Sequence, residues 1–374
     1  MAAGNRRISA ASARAHTRKG KSDKGFPLGK GILKKLFLVS FVGFLAWAYN
    51  AIQPPSSNVC GSPSGPPVTA PRVKLHDGRH LAYLENGVPK ERAKYKIVLT
   101  HGFTGFRNDT LDASKELVEE LGVYMVSFDR PGYGESDPDP KRSVRSAALD
   151  IEELADQLGL GPKFYVMGSS IGGHAIWGCL KYIPHRLAGA ALLAPVVNYR
   201  WPGFPANLSN EVYYQQPRQD QWALRVPYYT PWLTYWWNTQ KWFPSSSVIQ
   251  GTWKPLNRHD AEIFNKYKTS GRRTEHLKAA LQQGVFESLH RDMIVMFGKW
   301  EFDPMDFENP FPNNEGSVHI WQGDEDALVP VLLQRYIAKR LPWIHYHELP
   351  EAGHMFNAME GMPDRILKSL LLGE

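Results

Sequence analysis

Apolar positions between residues 72 and 198 fall into short, nearly continuous runs separated by longer mixed stretches. The runs "KIVLTHGF" (96–103), "VYMVSFD" (123–129), "FYVMGSS" (164–170) and "LAGAALLAP" (187–195) have the length and content of strands buried on both faces. Between them, Ala113–Leu121, Ser146–Leu158 and the stretch from Gly173 through Leu180 read as helices. This alternation predicts an α/β fold: a mostly parallel central sheet with helices on both faces. The rhythm stops near Asn198 and resumes after about Pro312 with "SVHIWQGDED" and "WIHYHELP". The intervening stretch, with Trp201, Trp222, Trp232, Trp236, Trp237, Trp242 and Trp253 among many tyrosines and prolines, reads as an inserted, mainly helical lid.

The N-terminal pattern is different. Leu36–Ile52 has no charged residue and, with Ile32 and Leu33, approaches the roughly 20 residues needed to span a bilayer. Trp47 and Tyr49 suit an interface, and the Lys/Arg-rich start, opposed only by Asp23, places the N-terminus on the cytoplasmic side. This predicts a single-pass type II signal anchor of the secretory pathway. Two other readings stand beside it. "AWA" at 46–48 resembles a signal-peptidase site, which would give a secreted protein, and the Arg/Ser-rich, acid-poor start resembles a plastid or mitochondrial transit peptide. "PPSSNVCGSPSGPPVTAP" (54–71) reads as a semi-extended stalk between membrane and folded part. The expected organisation is a basic tail (1–35), an anchor (36–53), a linker (54–71), a core (72–197 and 313–374) and an aromatic-rich lid (198–312).

Charge removes one class of partner. The formal net charge is +7, but the basic tail accounts for more than all of it, leaving about −2 for the remainder. No basic run follows residue 35, so nucleic acid is not an expected partner. Cys60 and Cys179 can form neither a disulfide framework nor a zinc site. No metal or other cofactor is implied.

The candidate chemistry sits in "FYVMGSSIGGHA" (164–175), where two serines lie between an apolar run and a glycine pair. A strand that turns sharply into a helix needs small residues two places either side of the turn residue. Ser170 has Gly168 and Gly172 there, whereas Ser169 has Met167 and Ile171, so Ser170 is the candidate nucleophile. A serine hydroxyl needs a base and a group that orients the base. "WQGDEDALVP" supplies acids and "LPEAGHMF" supplies His354, each after a late strand. His354 follows a glycine that would allow a tight turn, which favours it over His347.

Together "HGFTG", "DRPGYGES", "GSSIGG", "GDEDALVP" and "GH" resemble the α/β-hydrolase family across residues 72–374, and the chain is similar to plant single-span membrane-anchored members. The resemblance implies a Ser170–Asp326–His354 triad, choosing Asp326 over Asp324 from its place before the proline of "DALVP". It implies an oxyanion hole from the backbone NH groups of Phe103 and Ile171. It gives His101, Asp129 and Arg130 structural rather than chemical work. A serine at the turn, where dehalogenases and epoxide hydrolases of this fold carry a carboxylate, argues against both. The expected activity is a carboxylesterase or lipase-like serine hydrolase acting on an apolar or lipid-like ester through an acyl-enzyme. Acyl transfer on the same triad, or a small-molecule receptor with little turnover, are the alternatives. Trp232, Trp236 and Trp237 are expected to line the substrate entrance, against the plainer reading that they pack the lid.

Overall fold

Strand residues alternate between two buried faces, and this alternation builds the molecule's two cores. Val98, Val166, Ala190 and Ile320 point into one apolar cluster, while Ile97, Met167, Ala191 and Trp321 point into the other. In the computed structural model, which describes residues 30–254 and 257–374, the chain forms two compact units, Met1–Gln53 and Pro54–Glu374. Most of the basic tail lies outside the described residues.

Among the described residues, the first unit contains one helix, α1 (Lys30–Ile52). Its Gly31–Ile52 portion, with a mean hydropathy of 1.7, is long and apolar enough to cross a membrane.

In the second unit, strands β1 (Arg72–Lys74), β2 (His80–Gly87), β3 (Tyr95–Thr100), β4 (Val123–Phe128), β5 (Phe164–Ser169), β6 (Leu187–Leu193), β7 (Val318–Gly323) and β8 (Ile344–Leu349) form one eight-stranded sheet. The order is β1-β2-β4-β3-β5-β6-β7-β8. β2 runs antiparallel to β1 and β4; the other pairs are parallel. β1 and β2 escaped the sequence reading because β2 is buried only near its start and so carries no continuous apolar run. The other strands stop short of the apolar runs because His101–Phe103, Asp129 and Ser170 leave the ladder to build loops at the carboxyl edge of the sheet.

Helices α2 (Lys115–Leu121), α3 (Val144–Gln157) and α4 (Gly173–Tyr182) connect the first parallel strands. Ser143 caps α3, its hydroxyl accepting from the Ser146 NH while the Ser146 hydroxyl accepts from the Ser143 NH. Ala147, Ala148, Ile151, Leu154 and Ala155 then give α3 the buried stripe that packs on the sheet. Between β6 and β7 lie α5 (Ala206–Gln215), α6 (Arg218–Tyr229), α7 (Thr234–Thr239), α8 (Arg258–Thr269), α9 (Arg272–Ala280) and α10 (Arg291–Phe297), with a wider helical turn at Phe286–His290. α11 (Val331–Arg340) and α12 (Met362–Leu372) complete the second unit.

Residues 54–71 are not a free stalk. Cys60 is buried, with its NH on the Gln283 side chain, and Asn58 NH donates to the Gln283 carbonyl. Thr69 and Ala70 NH groups and the Thr69 hydroxyl all donate to the Glu135 carboxylate. A Pro/Gly/Ser composition removes regular structure, but these bonds still fix the segment to the body.

Candidate active site

β5 delivers Ser170 in a left-handed conformation (φ 52°), while Ser169 stays extended (φ −100°). A non-glycine residue held there is strained by order 1–3 kcal/mol, so packing must enforce it. A side chain at Gly168 would come within 2.5 Å of Ile176 Cγ1, and one at Gly172 within 2.5 Å of the His101 carbonyl. Both neighbours must be glycine for β5, the turn and the His101 loop to pass one another.

β7 and β8 end beside this turn. The Ser170 hydroxyl lies 3.0 Å from His354 Nε2, and His354 Nδ1 lies 2.7 Å from Asp326 Oδ2. Asp326 is fixed in turn: Oδ1 accepts from the NH groups of Leu328 and Val329 at 2.8 and 2.9 Å, and Oδ2 from the Gln322 amide at 3.0 Å. Asp324 does not take this place. Its buried Oδ1 has no partner among the described residues. His347, further back on β8, pairs with His319 and stacks on Trp321.

The loop carrying His354 is held by a residue of the inserted segment. Asp260, on the first turn of α8, accepts from the NH of His354 at 2.7 Å and of Met355 at 2.9 Å. Asn257, the cap of α8, donates to the Glu351 carbonyl at 3.0 Å and to Glu325 Oε2 at 2.5 Å, touching the loops of both His354 and Asp326. Gly353 is therefore required by close approach rather than by turn conformation. Any side chain there would strike the Asp260 carboxylate, and the left-handed residue of this turn is Glu351 (φ 57°).

Electrostatics suit the arrangement. Burial works against a charged His354 ring, but Asp326, and to a lesser degree Asp260, hold its pKa above the ordinary imidazole value. His101 is the opposite case. Burial first, and then Arg130, push its pKa well down, so it is a neutral ring donating from Nδ1 to the Gly102 carbonyl and accepting the Arg130 NH at Nε2.

The Phe103 NH makes no hydrogen bond among the described residues. Its loop lies against Ser170: a side chain at Gly102 would stand 3.3 Å from Ser170 Cβ. Arg130 fixes this loop by donating to the carbonyls of His101 and Gly102. Its guanidinium is held by Asp292 of α10, which also receives Arg142 and the Tyr133 hydroxyl. Asp129 braces the adjoining turn through the NH groups of Arg107 and Glu135.

Ser170, Ile171 and Phe103 open into a cavity of about 2270 Å³ whose apolar wall includes Leu224, Ile249, Leu289 and Met293. Trp232, Trp236 and Trp237 do not line it. Trp232 is exposed, while Trp236 and Trp237 pack among Trp222, Trp242 and Phe243. A tryptophan-rich segment announces apolar area but not which side of a helix turns inward; Trp253 is the one that reaches the cavity. Among the described residues, no group of three or more His, Cys, Asp or Glu could hold a metal ion.

A mostly parallel sheet of this order, with a serine turn after β5, an acid after β7 and a histidine after β8, defines a class. Residues 97–368 match the Alpha/beta hydrolase family, and the chain belongs to it. Over 109 residues it is 31% identical to an uncharacterized 31.7 kDa protein in the traX-finO intergenic region of Escherichia coli, a match covering 27% of this chain and 36% of that protein. The chain thus spans about a third of that relative's length. A thermophilic esterase from Thermogutta terrifontis superposes with a TM-score of 0.51 at 19% identity, covering 81% of this chain and 96% of the esterase. An esterase from Exiguobacterium antarcticum gives 0.52 at 17%, covering 80% and 98%. At such identities the likeness is one of fold.

Proposed function

We propose that this chain is a serine hydrolase that cleaves a carboxylic ester of an apolar or lipid-like acyl group. The observation that carries the reading is the continuous hydrogen-bonded path from Ser170 through His354 to Asp326, opening into a large, partly apolar cavity. Ser170 Oγ attacks the carbonyl carbon as His354 Nε2 takes its proton; the oxyanion is met by the NH groups of Phe103 and Ile171. Collapse expels the alkoxide, which leaves with the proton from His354. Water, deprotonated by His354, then attacks the acyl-enzyme, and Ser170 recovers its proton. Asp326 keeps the Nδ1–H tautomer and stabilises the imidazolium.

Labelling with a fluorophosphonate tests the assignment. Ser170→Ala abolishes labelling and Ser169→Ala retains it; the reverse result overturns it. Stoichiometric acylation by a chromogenic ester without turnover would favour the receptor reading instead.

The inserted segment is read as a lid over the nucleophile, and α1 as a type II membrane anchor. Exposed Asn207 of "NLS" would then face the lumen. A glycosidase-sensitive mobility shift lost in Asn207→Gln supports that topology, and release of the protein by carbonate refutes the anchor.

A further inference from the structure

The inserted segment carries an aromatic face that the catalytic site does not use. Tyr214, Trp222, Tyr229, Trp232, Trp242 and Phe243 are all exposed, within one 30-residue stretch of α5–α7 and the loop after it. Aromatic side chains of this size, clustered rather than scattered, mark a surface with a partner. Tyr and Trp in particular combine an apolar body with a polar edge, the combination found at the boundary between lipid and water.

Cations are interleaved with these rings. Arg225 lies over Trp222, Arg200 over Tyr228 and Tyr229, and Lys299 over Tyr228; Lys241 is exposed beside Trp242. Between 212 and 254 the sole acidic residue is Asp220, which is engaged by the Ser247 NH. Such a face complements an anionic lipid surface, where long basic side chains reach the head groups while aromatic rings enter the acyl boundary.

Chain connectivity supplies a second argument, which rests on reading α1 as a span. Only five residues separate Ile52, the end of α1, from Asn58, the first residue bonded to the body. Fully extended, that tether reaches roughly 20 Å. Asn58 docks on Gln283, and three residues beyond Gln283 the ring of Phe286 meets Tyr235 of α7 at 5.8 Å. Asn58 and α7 are thus linked within the body through the Gln283–Phe286 segment.

We propose that this face, centred on Trp222, Trp242 and Phe243, lies in the head-group region of an anionic bilayer. The membrane is then bound twice, once by the span and once by the inserted segment. α6 links this face to the cavity, because Ala223 and Leu224 line the cavity while Trp222 is exposed. A lipid-borne substrate would pass from the bilayer to Ser170 along that helix.

The test uses the full chain with a site-specific protease site inserted between Gln53 and Pro54, reconstituted into vesicles of phosphatidylcholine with or without phosphatidylserine. After the tether is cut, vesicles are floated at physiological salt. The expected result is that the body, 54–374, floats with phosphatidylserine vesicles and less with phosphatidylcholine alone. Trp242→Ser with Phe243→Ser should weaken this binding at least about tenfold. Arg225→Gln with Lys241→Gln should remove the preference for phosphatidylserine. Circular dichroism and the thermal midpoint should stay those of the unsubstituted body, since Lys241, Trp242 and Phe243 are exposed and Arg225 is only half-buried. Release of the cut body from both kinds of vesicle overturns the proposal, as does equal flotation of the Trp242/Phe243 variant. A cut body that dimerises and leaves the vesicles assigns the face to a second copy, which overturns it too. Loss of the uncut chain to carbonate would refute the span alone, because the flotation of the cut body does not depend on it.

Discussion

Asp260 accepts the backbone NH of His354 at 2.7 Å, so a carboxylate from the inserted segment holds the loop that presents the proposed base. Three groups face the His354 ring or its amide: Asp326 from the loop after β7, Asp260 from α8 and Ser170 from the turn after β5. The proposed mechanism needs the neutral ring. Because the two carboxylates overcome burial and keep His354 above the ordinary imidazole value, the acid limb of kcat/KM should lie above about pH 6.5. Asp260→Asn removes one negative charge and one amide acceptor. It should shift that limb to lower pH and reduce kcat more than KM. A residue with only a structural role would lower the thermal midpoint and leave the limb in place.

Asp326→Asn should reduce kcat by about 10⁴ through the wrong His354 tautomer, with the thermal midpoint little changed. Asp324→Asn should leave turnover within a few-fold, because its Oδ1 has no partner among the described residues and His354 Nδ1 is already occupied by Asp326. Pre-steady-state kinetics on a chromogenic ester separates the two. Equal losses would mean that the acids share the work.

What could be read from the sequence was whatever a local pattern encodes. The inner parallel strands β3–β6 read as apolar runs because both of their faces are largely buried, and Ser170 could be told from Ser169 because its glycines answer a steric demand of the turn itself. Phe103 and Ile171, by contrast, came only from the resemblance to the family, and their role is part of the proposed function. Asp260 and Asn257 could not be found this way. They lie some 90 residues from the loop they hold, in a stretch with no strand rhythm, and the one trace of them is Gly353, whose reason is an approach from a distant helix. Arg130 was legible as a brace, but its partner Asp292 belongs to the insertion. The tryptophans failed for another reason: composition records apolar area, and only packing decides whether it lines a cavity or faces outward.

Chain-length preference should follow the cavity wall rather than the aromatic face. Each methylene of an acyl chain that enters the cavity contributes about 0.8 kcal/mol, roughly fourfold in kcat/KM. On soluble p-nitrophenyl esters kcat/KM should rise from acetate to at least octanoate. Met293→Trp, which fills part of the cavity, should flatten the rise, while Trp236→Ala should leave it unchanged. A rise that Trp236→Ala abolishes would place the acyl chain among the outer rings instead.

Asp292 joins two buried arginines, so its removal should cost more than that of any exposed acid. Arg130 Nη1 and Arg142 Nη2 lie 2.6 and 2.7 Å from its Oδ1, and the Tyr133 hydroxyl donates to Oδ2. Burial opposes its charge, but Arg130 and Arg142 outweigh burial and hold the carboxyl well below its usual range. A carboxylate with a lowered folded-state pKa contributes fully above its unfolded value near 4, and that contribution fades only as pH falls toward the folded value. Acidification to pH 4.5 should therefore leave this cluster intact. Asp292→Ala strands two guanidinium groups away from water, for which about 3–5 kcal/mol of stability loss is expected in urea unfolding at neutral pH. Function should fail as well, because Arg130 is the donor that fixes the His101 and Gly102 carbonyls and, through them, the Phe103 NH. Asp292→Asn preserves shape and half the bonding. Measured where it remains folded, it should lower kcat with KM nearly constant, since a displaced oxyanion donor is felt in the transition state. A variant that is destabilised yet keeps wild-type kcat would show that Arg130 holds the loop without help from the insertion.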